Sequence, residues 1–237
     1  MLEIKDIKKA FGGLIALRGV SLVVPEGKVV SLIGPNGAGK TTLFNIIAGT
    51  LKPDSGKIYF KGIDITGSPP YKICKLGVAR TFQLRNVFPN LTVYENIYAG
   101  FLKDKPLKTN DFSHKVFDIL RYLGLSEKAY RPVNSLSPLE MKLVELGRAL
   151  ATNPKLLLFD ELLGGLIAQE TLKICEFVED LKSKGFTILQ IGHEIRPIMR
   201  TSDFIYVLNE GEILTKGTPK EIQHNEEVLK IYLELEE

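Results

Sequence analysis

Short apolar runs rich in β-branched residues alternate along this chain with stretches of helical spacing. Leu2 to Ile7, Val20 to Val24 and Val29 to Ile33 read as strands, and Gly39 to Ala48 as a helix. Lys57 to Phe60 is a short strand, followed by the turn-rich segment Gly62 to Pro70. Phe112, Val116, Ile119 and Leu123 share one face of a helix ended by Gly124. A second helix runs from Ser137 to about Ala151. Lys155 to Phe159 is almost uninterruptedly apolar, as in a strand buried on both faces. A helix over 169–183, strands Phe186 to Ile191, Phe204 to Leu208 and Glu212 to Thr215, and an amphipathic helix Glu226 to Leu235 complete the chain. Strand alternating with helix predicts a parallel sheet covered by helices. Residues 1–80 and 154–216 carry the strand signal, whereas roughly 92–152 read as helical. That shift predicts a helical subdomain inserted into a sheet-bearing core.

Composition narrows the class without naming a partner. At 237 residues, 44% hydrophobic and 25% charged, the chain is ordinary globular rather than disordered or a disulfide scaffold. The longest apolar run, Leu156 to Ala168, is broken by Asp160 and Glu161, short of the roughly 18–20 residues that cross a bilayer. Lys8 and Lys9 precede an apolar stretch, but Glu3, Asp6 and Arg18 spoil a secretory signal. A soluble cytosolic chain is the expectation. Cys74 and Cys175, far apart, read as free thiols. A net charge of +3 lacks the basic footprint of a nucleic-acid binder, and none is expected as a partner.

The chemistry starts at Gly34-Pro35-Asn36-Gly37-Ala38-Gly39-Lys40-Thr41, with Thr42 extending it. This is the spacing of a phosphate-binding loop. Its glycines let successive backbone N–H groups converge on phosphate oxygens at a helix N-terminus, where the dipole also favours anions. Lys40 reaches the β- and γ-phosphates and Thr41 ligates Mg²⁺. A strand ends at Ile33 and a helical pattern begins at Gly39, the context such a loop requires. The loop needs a metal-holding carboxylate at the end of a buried strand. Leu156-Leu157-Leu158-Phe159-Asp160 supplies one, and Glu161 follows, placed to polarise an attacking water as general base. The acidic pair argues for hydrolysis over simple nucleotide binding. His193 closes a third strand; a lone histidine there is commonly structural, but a parallel sheet brings it beside Asp160 and so toward the γ-phosphate. His114 and His224 read as surface residues.

Taken together, GPNGAGKTT at 34–42, Thr81-Phe82-Gln83, Leu136-Ser137, LLLFDE at 156–161 and His193 resemble the ATP-binding subunits of ABC transporters over essentially the whole chain. Within that family, the runs at 77–96 and 202–207, with Gly217-Thr218-Pro219, look like the ATPase of branched-chain amino acid importers. The resemblance implies an α/β P-loop NTPase core sheet with an antiparallel β subdomain. The core spans about 1–91 and 153–237, and the inserted helical subdomain about 92–152. It implies ATP and Mg²⁺ as ligands, and Gln83 as the glutamine that senses the metal and γ-phosphate. Phe11 sits where the family places an aromatic under the adenine, although a core phenylalanine is the competing reading. The loop from Arg85 to Tyr98, with Phe88, Leu91 and Tyr94, is where a membrane subunit should dock. The implied partners are transmembrane permease subunits and a second ABC ATPase chain, homo- or heterodimeric, at the cytoplasmic face of the membrane. Each ATP would lie between one chain's P-loop and the other's Ser137 helix.

Three departures from the family pattern stand out. Its Leu-Ser-Gly-Gly-Gln signature is here Leu136-Ser137-Pro138-Leu139-Glu140, which independently reads as a helix start with a capping box. Leu162 replaces the proline that usually follows the catalytic glutamate, and Ile167 replaces a polar residue after Leu166. The expectation is a chain that hydrolyses its own ATP but completes the partner's site poorly. The rival readings are the ATPase of a lipid or lipopolysaccharide exporter, a soluble non-transport ABC ATPase, and a nucleotide-binding scaffold without turnover.

Overall fold

Two long antiparallel strands open the chain, β1 (Leu2–Phe11) and β2 (Leu14–Val24). The computed structural model describes residues 1–81, 87–101, 110–162, 164–192 and 194–233. Leu2, Ile4 and Ile7 of β1 and Leu17, Val20, Leu22 and Val24 of β2 are buried, while the residues between them mostly face water. That period of two makes one face of the hairpin a core face. β3 (Val29–Ile33) is buried at every position and runs into a loop that leads to helix α1 (Lys40–Ile47). β4 (Ser55–Phe60) pairs with β1, and β5 (Ile63–Asp64) with β4. Helix α2 (Pro70–Leu76) and strand β6 (Val78–Arg80) follow.

Three helices then come in succession: α3 (Val93–Phe101), α4 (Asn110–Tyr122) and α5 (Pro138–Ala151). β7 (Leu156–Asp160), α6 (Ala168–Ser183), β8 (Thr187–Ile191), α7 (Ile195–Thr201), β9 (Phe204–Asn209), β10 (Glu212–Gly217), α8 (Pro219–Gln223) and α9 (Glu226–Leu233) complete the described chain.

The strands form two sheets. One is antiparallel, in the order β2-β1-β4-β5. The other is ordered β10-β9-β3-β8-β7-β6 and is parallel except at β10. Its central strands divide their side chains between two cores. Val29, Ile33, Leu157, Phe159 and Ile188 face the helices α5 and α6, whereas Val30, Leu32, Leu156, Leu158 and Leu189 face α1 and the antiparallel sheet. Some of the polar residues at this depth satisfy one another. Gln190 Nε2 donates to Ser31 Oγ and Thr201 Oγ1, both at 2.8 Å, which ties α7 to the sheet.

The elements read from periodicity are present, with corrections at their margins. The first two strands are longer than their apolar signal and meet in a hairpin at Gly12 and Gly13. The segment 62–70 contains the short strand β5. α2, β6, α7 and α8 gave no signal, because three to seven residues are too few to establish a period.

Candidate nucleotide site

The site lies where β3, β7 and β8 end at the same edge of the parallel sheet. Register pairs Asp160 with Ile191 and Ile33 with Val207, so the loops after these strands emerge together. Ligand sites of open α/β sheets form at such carboxyl edges.

Backbone geometry explains the loop's glycines at two positions. Gly34 has φ 151°, and a Cβ there would lie 2.0 Å from the carbonyl oxygen of Leu208. Gly39, the N-cap of α1, has φ 104°, and its Cβ would lie 2.6 Å from the carbonyl oxygen of Ala16. No other residue fits either place without displacing backbone. Lys40 is 6% exposed and folds back into the loop, donating to the carbonyls of Gly34 (2.7 Å) and Pro35 (2.8 Å). Burial pulls its amine's pKa below the usual lysine value, and the negative charge of Glu161 partly restores it.

A cavity of about 380 Å³ is lined by Asn36, Gly37, Gly39, Lys40, Thr41 and Thr42, with Glu161 on its wall and Phe11 to Ala16 at its rim. Phe11 is 48% exposed there with the Lys9 amine 5.6 Å from its ring, so it is not a core side chain. Glu161 enters from β7 through a left-handed turn, φ 48°. Its N–H donates to Ile191 O at 3.0 Å, and its carbonyl accepts from Gly164 N at 3.1 Å and from Lys142 Nζ of α5 at 3.2 Å.

Asp160 has a side chain only 3% exposed. Its Oδ2 accepts from Arg80 Nη2 at 2.5 Å, while Oδ1 is buried with no hydrogen-bond partner among the described residues. A buried carboxylate oxygen without such a partner fits a cation, and Thr41 lines the cavity together with Glu161, the residue that follows Asp160. Among the described residues, no three His, Cys, Asp or Glu side chains gather to hold a metal by themselves. A cation here would be completed by the nucleotide's phosphates and water. Gln83 and His193 lie outside the described residues.

A family model described as ABC transporter matches residues 17–164, from the second strand of the hairpin through the P-loop to the acidic pair. The chain belongs to the ABC transporter family. It is 38% identical over 249 residues to the probable branched-chain amino acid transport ATP-binding protein LivG of Methanocaldococcus jannaschii, covering 98% of this chain and 97% of that protein. The high-affinity branched-chain amino acid transport ATP-binding protein BraF of Pseudomonas aeruginosa is 36% identical over 248 residues, covering 98% of this chain and 97% of the relative. Among solved structures, the ADP conformation of an ATP-binding cassette of an ABC transporter superposes with a TM-score of 0.89 at 37% identity, over 98% of each chain. A dimeric bacterial ABC transporter cassette matches with a TM-score of 0.84 at 28% identity, over 92% of this chain and 99% of that one.

The rest of this ABC cassette separates what was anticipated from what was not. Ser137 caps α5 as expected, its Oγ accepting from Glu140 N at 3.3 Å while Glu140 Oε2 accepts from Ser137 N at 3.0 Å. The other oxygen of Glu140 is held by Lys128. Burial pushes that carboxyl up, but the bonds from Lys128 and Ser137 outweigh it and hold the group ionised below the usual glutamate value. Ile167 stands at the N-cap of α6, 65% exposed and with no side-chain acceptor to offer. A second cavity of about 380 Å³ opens between α2, β6, α3 and α5, lined by Ile73, Val78, Arg80, Phe88, Arg148 and Leu158 among others. Phe88 carries the Arg148 guanidinium 4.9 Å from its ring. Tyr94 instead stacks with Tyr98 and Tyr130. His114 and His224 are exposed. Sequence reasoning passed over Arg80 and Lys142, which contact Asp160 and Glu161 from distant elements, and Asn45 of α1, which Arg80 also holds.

Proposed function

We propose that this chain is the ATP-hydrolysing subunit of an ABC importer for branched-chain amino acids, working with Mg²⁺ at the cytoplasmic face of a membrane. The observation that carries this is one cavity lined both by Lys40 and Thr41 of the loop and by Glu161 at the end of β7, two strands away from β3. The names of the relatives supply the solute class.

The chain's own groups divide the work. Loop N–H groups and Lys40 bind the β- and γ-phosphates. Lys40 can release its two carbonyl contacts or keep one, because an ammonium has three donors. Phe11 offers a face to the base at the rim. Thr41 and Asp160 would hold Mg²⁺, which shields phosphate charge and draws electron density from the breaking bond. Glu161 takes a proton from the attacking water, which adds to the γ-phosphorus as the bond to the leaving ADP oxygen breaks. Gln83 and His193 are assigned the sensing and γ-phosphate roles that the family resemblance implies.

Among the described residues no helix is long and apolar enough to cross a membrane. Transport therefore falls to permease partners, and the groove at Phe88 and Arg148 is the docking place that fits them. Residues 92–152 would act as the helical subdomain, carrying Ser137 to a second ATPase chain.

Reconstitution with candidate permeases and a solute-binding protein tests the reading directly. Uptake of leucine, isoleucine and valine should require Mg-ATP, and Glu161→Gln should lower phosphate release at least about 100-fold while leaving ATP binding intact. Full turnover in Glu161→Gln, or uptake indifferent to these solutes, would refute it.

A further inference from the structure

Arg80 ends β6 on the far side of β7 from the P-loop, yet its guanidinium fork reaches both elements that carry the metal-binding groups. Nη2 donates to Asp160 Oδ2 at 2.5 Å, and Nη1 donates to Asn45 Oδ1 at 2.8 Å. Asn45 lies on α1, one turn after Thr41. The side chains of Arg80 and Asp160 are 8% and 3% exposed, so water does not screen the pair. A planar guanidinium fixes the angle between two acceptors in a way an ammonium does not. The spacing between α1 and the tip of β7 is therefore set through one rigid group.

The same contact decides which oxygen of Asp160 is used. With Oδ2 bonded to Arg80, Oδ1 is the one without a partner among the described residues, and it is buried. Thr81, next in sequence, reinforces the arrangement: its N–H donates to Leu158 O at 2.9 Å and its Oγ1 accepts from Asp160 N at 3.4 Å.

We propose that Arg80 is a positioning residue of the metal site, which locks the Asp160 carboxylate through Oδ2, presents Oδ1 to Mg²⁺, and through Asn45 holds α1 and its Thr41 hydroxyl at metal-binding distance from it. The proposal rests on the reading of Asp160 as a metal-holding carboxylate.

The test separates metal binding from nucleotide binding. In a Glu161→Gln background, ATP affinity is measured in EDTA, and Mn²⁺ affinity of the ATP complex is measured by electron paramagnetic resonance. Arg80→Met should weaken Mn²⁺ binding at least tenfold while changing metal-free ATP affinity less than about twofold. Arg80→Lys, which keeps the charge but not the fork, should recover part of that loss. Asn45→Leu leaves the ion pair in place and cuts only the link to α1; it should weaken Mn²⁺ severalfold, and it keeps the question answerable if Arg80→Met does not fold. Asp160→Asn is the control. If Asp160→Asn leaves Mn²⁺ affinity unchanged, the metal-holding reading itself fails. If Asp160→Asn weakens Mn²⁺ but Arg80→Met and Asn45→Leu do not, Arg80 is a structural ion pair and the proposal is overturned. An equal loss of ATP affinity with and without metal overturns it as well.

Discussion

Lys40 and Asp203 show how differently two charged side chains can be held. Lys40 is buried among loop carbonyls, with its pKa pulled down by burial and partly restored by the charge of Glu161. Replacing it with Met leaves the loop's glycine geometry in place but removes the one cation that lines the cavity among the described residues. ATP affinity should fall at least tenfold with the circular dichroism spectrum unchanged, as read by fluorescent-nucleotide titration. Asp203 is structural. It accepts from Val29 N at 2.9 Å and pairs with Lys182 at 2.8 Å, fastening the start of β3 to α6. Burial raises its pKa, but the bonds from Lys182 and Val29 outweigh that and depress it. A depressed carboxylate stabilises the fold fully above its unfolded value, about 3.9, and loses that contribution as pH falls through the folded value. Asp203→Asn should therefore lower stability at pH 7 by about 1–2 kcal/mol, with a flatter dependence below pH 4, in denaturant melts run across pH.

Helix α5 shows what a few residues can specify over fourteen positions. Ser137, Pro138 and Glu140 form a stop-and-start signal that works locally, so the sequence reading and the structure agree on its first turn. Ser137→Ala removes one half of the capping box and should cost about 1 kcal/mol by thermal or chemical melt, whereas Ser137→Thr should be nearly neutral. The P-loop, the apolar run Leu156 to Phe159 of β7 and the face of α4 were legible for the same reason: their information is contiguous or regularly spaced. α2, α7 and α8 were not, since helices of five to seven residues owe their existence to what they pack on. The site divides along the same line. Glu161 was legible as the neighbour of Asp160, but Arg80 gave no signal, because its meaning comes from a partner eighty positions along the chain. Lys142 is similar: only folding brings it to the Glu161 carbonyl.

At the scale of the molecule, the altered signature becomes a question of steric bulk rather than charge. Glu140 is folded back onto the N-cap of α5, where Ser137 N–H and Lys128 take up its two oxygens, so its negative charge is already matched. Pro138 and Leu139 remain where the family carries glycines. In a transporter built from this chain and a different ATPase chain, the site made with this chain's α5 should turn over more slowly than the other. Single-turnover phosphate release with one site disabled at a time would measure the ratio, and Pro138→Gly with Leu139→Gly should bring the two closer. Equal rates before that change would show the substitutions to be harmless.

The left-handed backbone at Glu161 carries a consequence for how such a chain ages. An L-residue at φ 48° sits about 1–2 kcal/mol above its relaxed state, and glycine would not. Selection for stability alone would thus erode position 161 toward glycine, and Glu161→Gly should melt higher than Glu161→Ala by about 1 kcal/mol in a calorimeter. A cassette that had stopped hydrolysing ATP would have nothing opposing that drift. Asp6, Lys61, Asn153 and Glu210 share that conformation, so the strain at Glu161 would mark demand for turnover only together with its place in the nucleotide cavity.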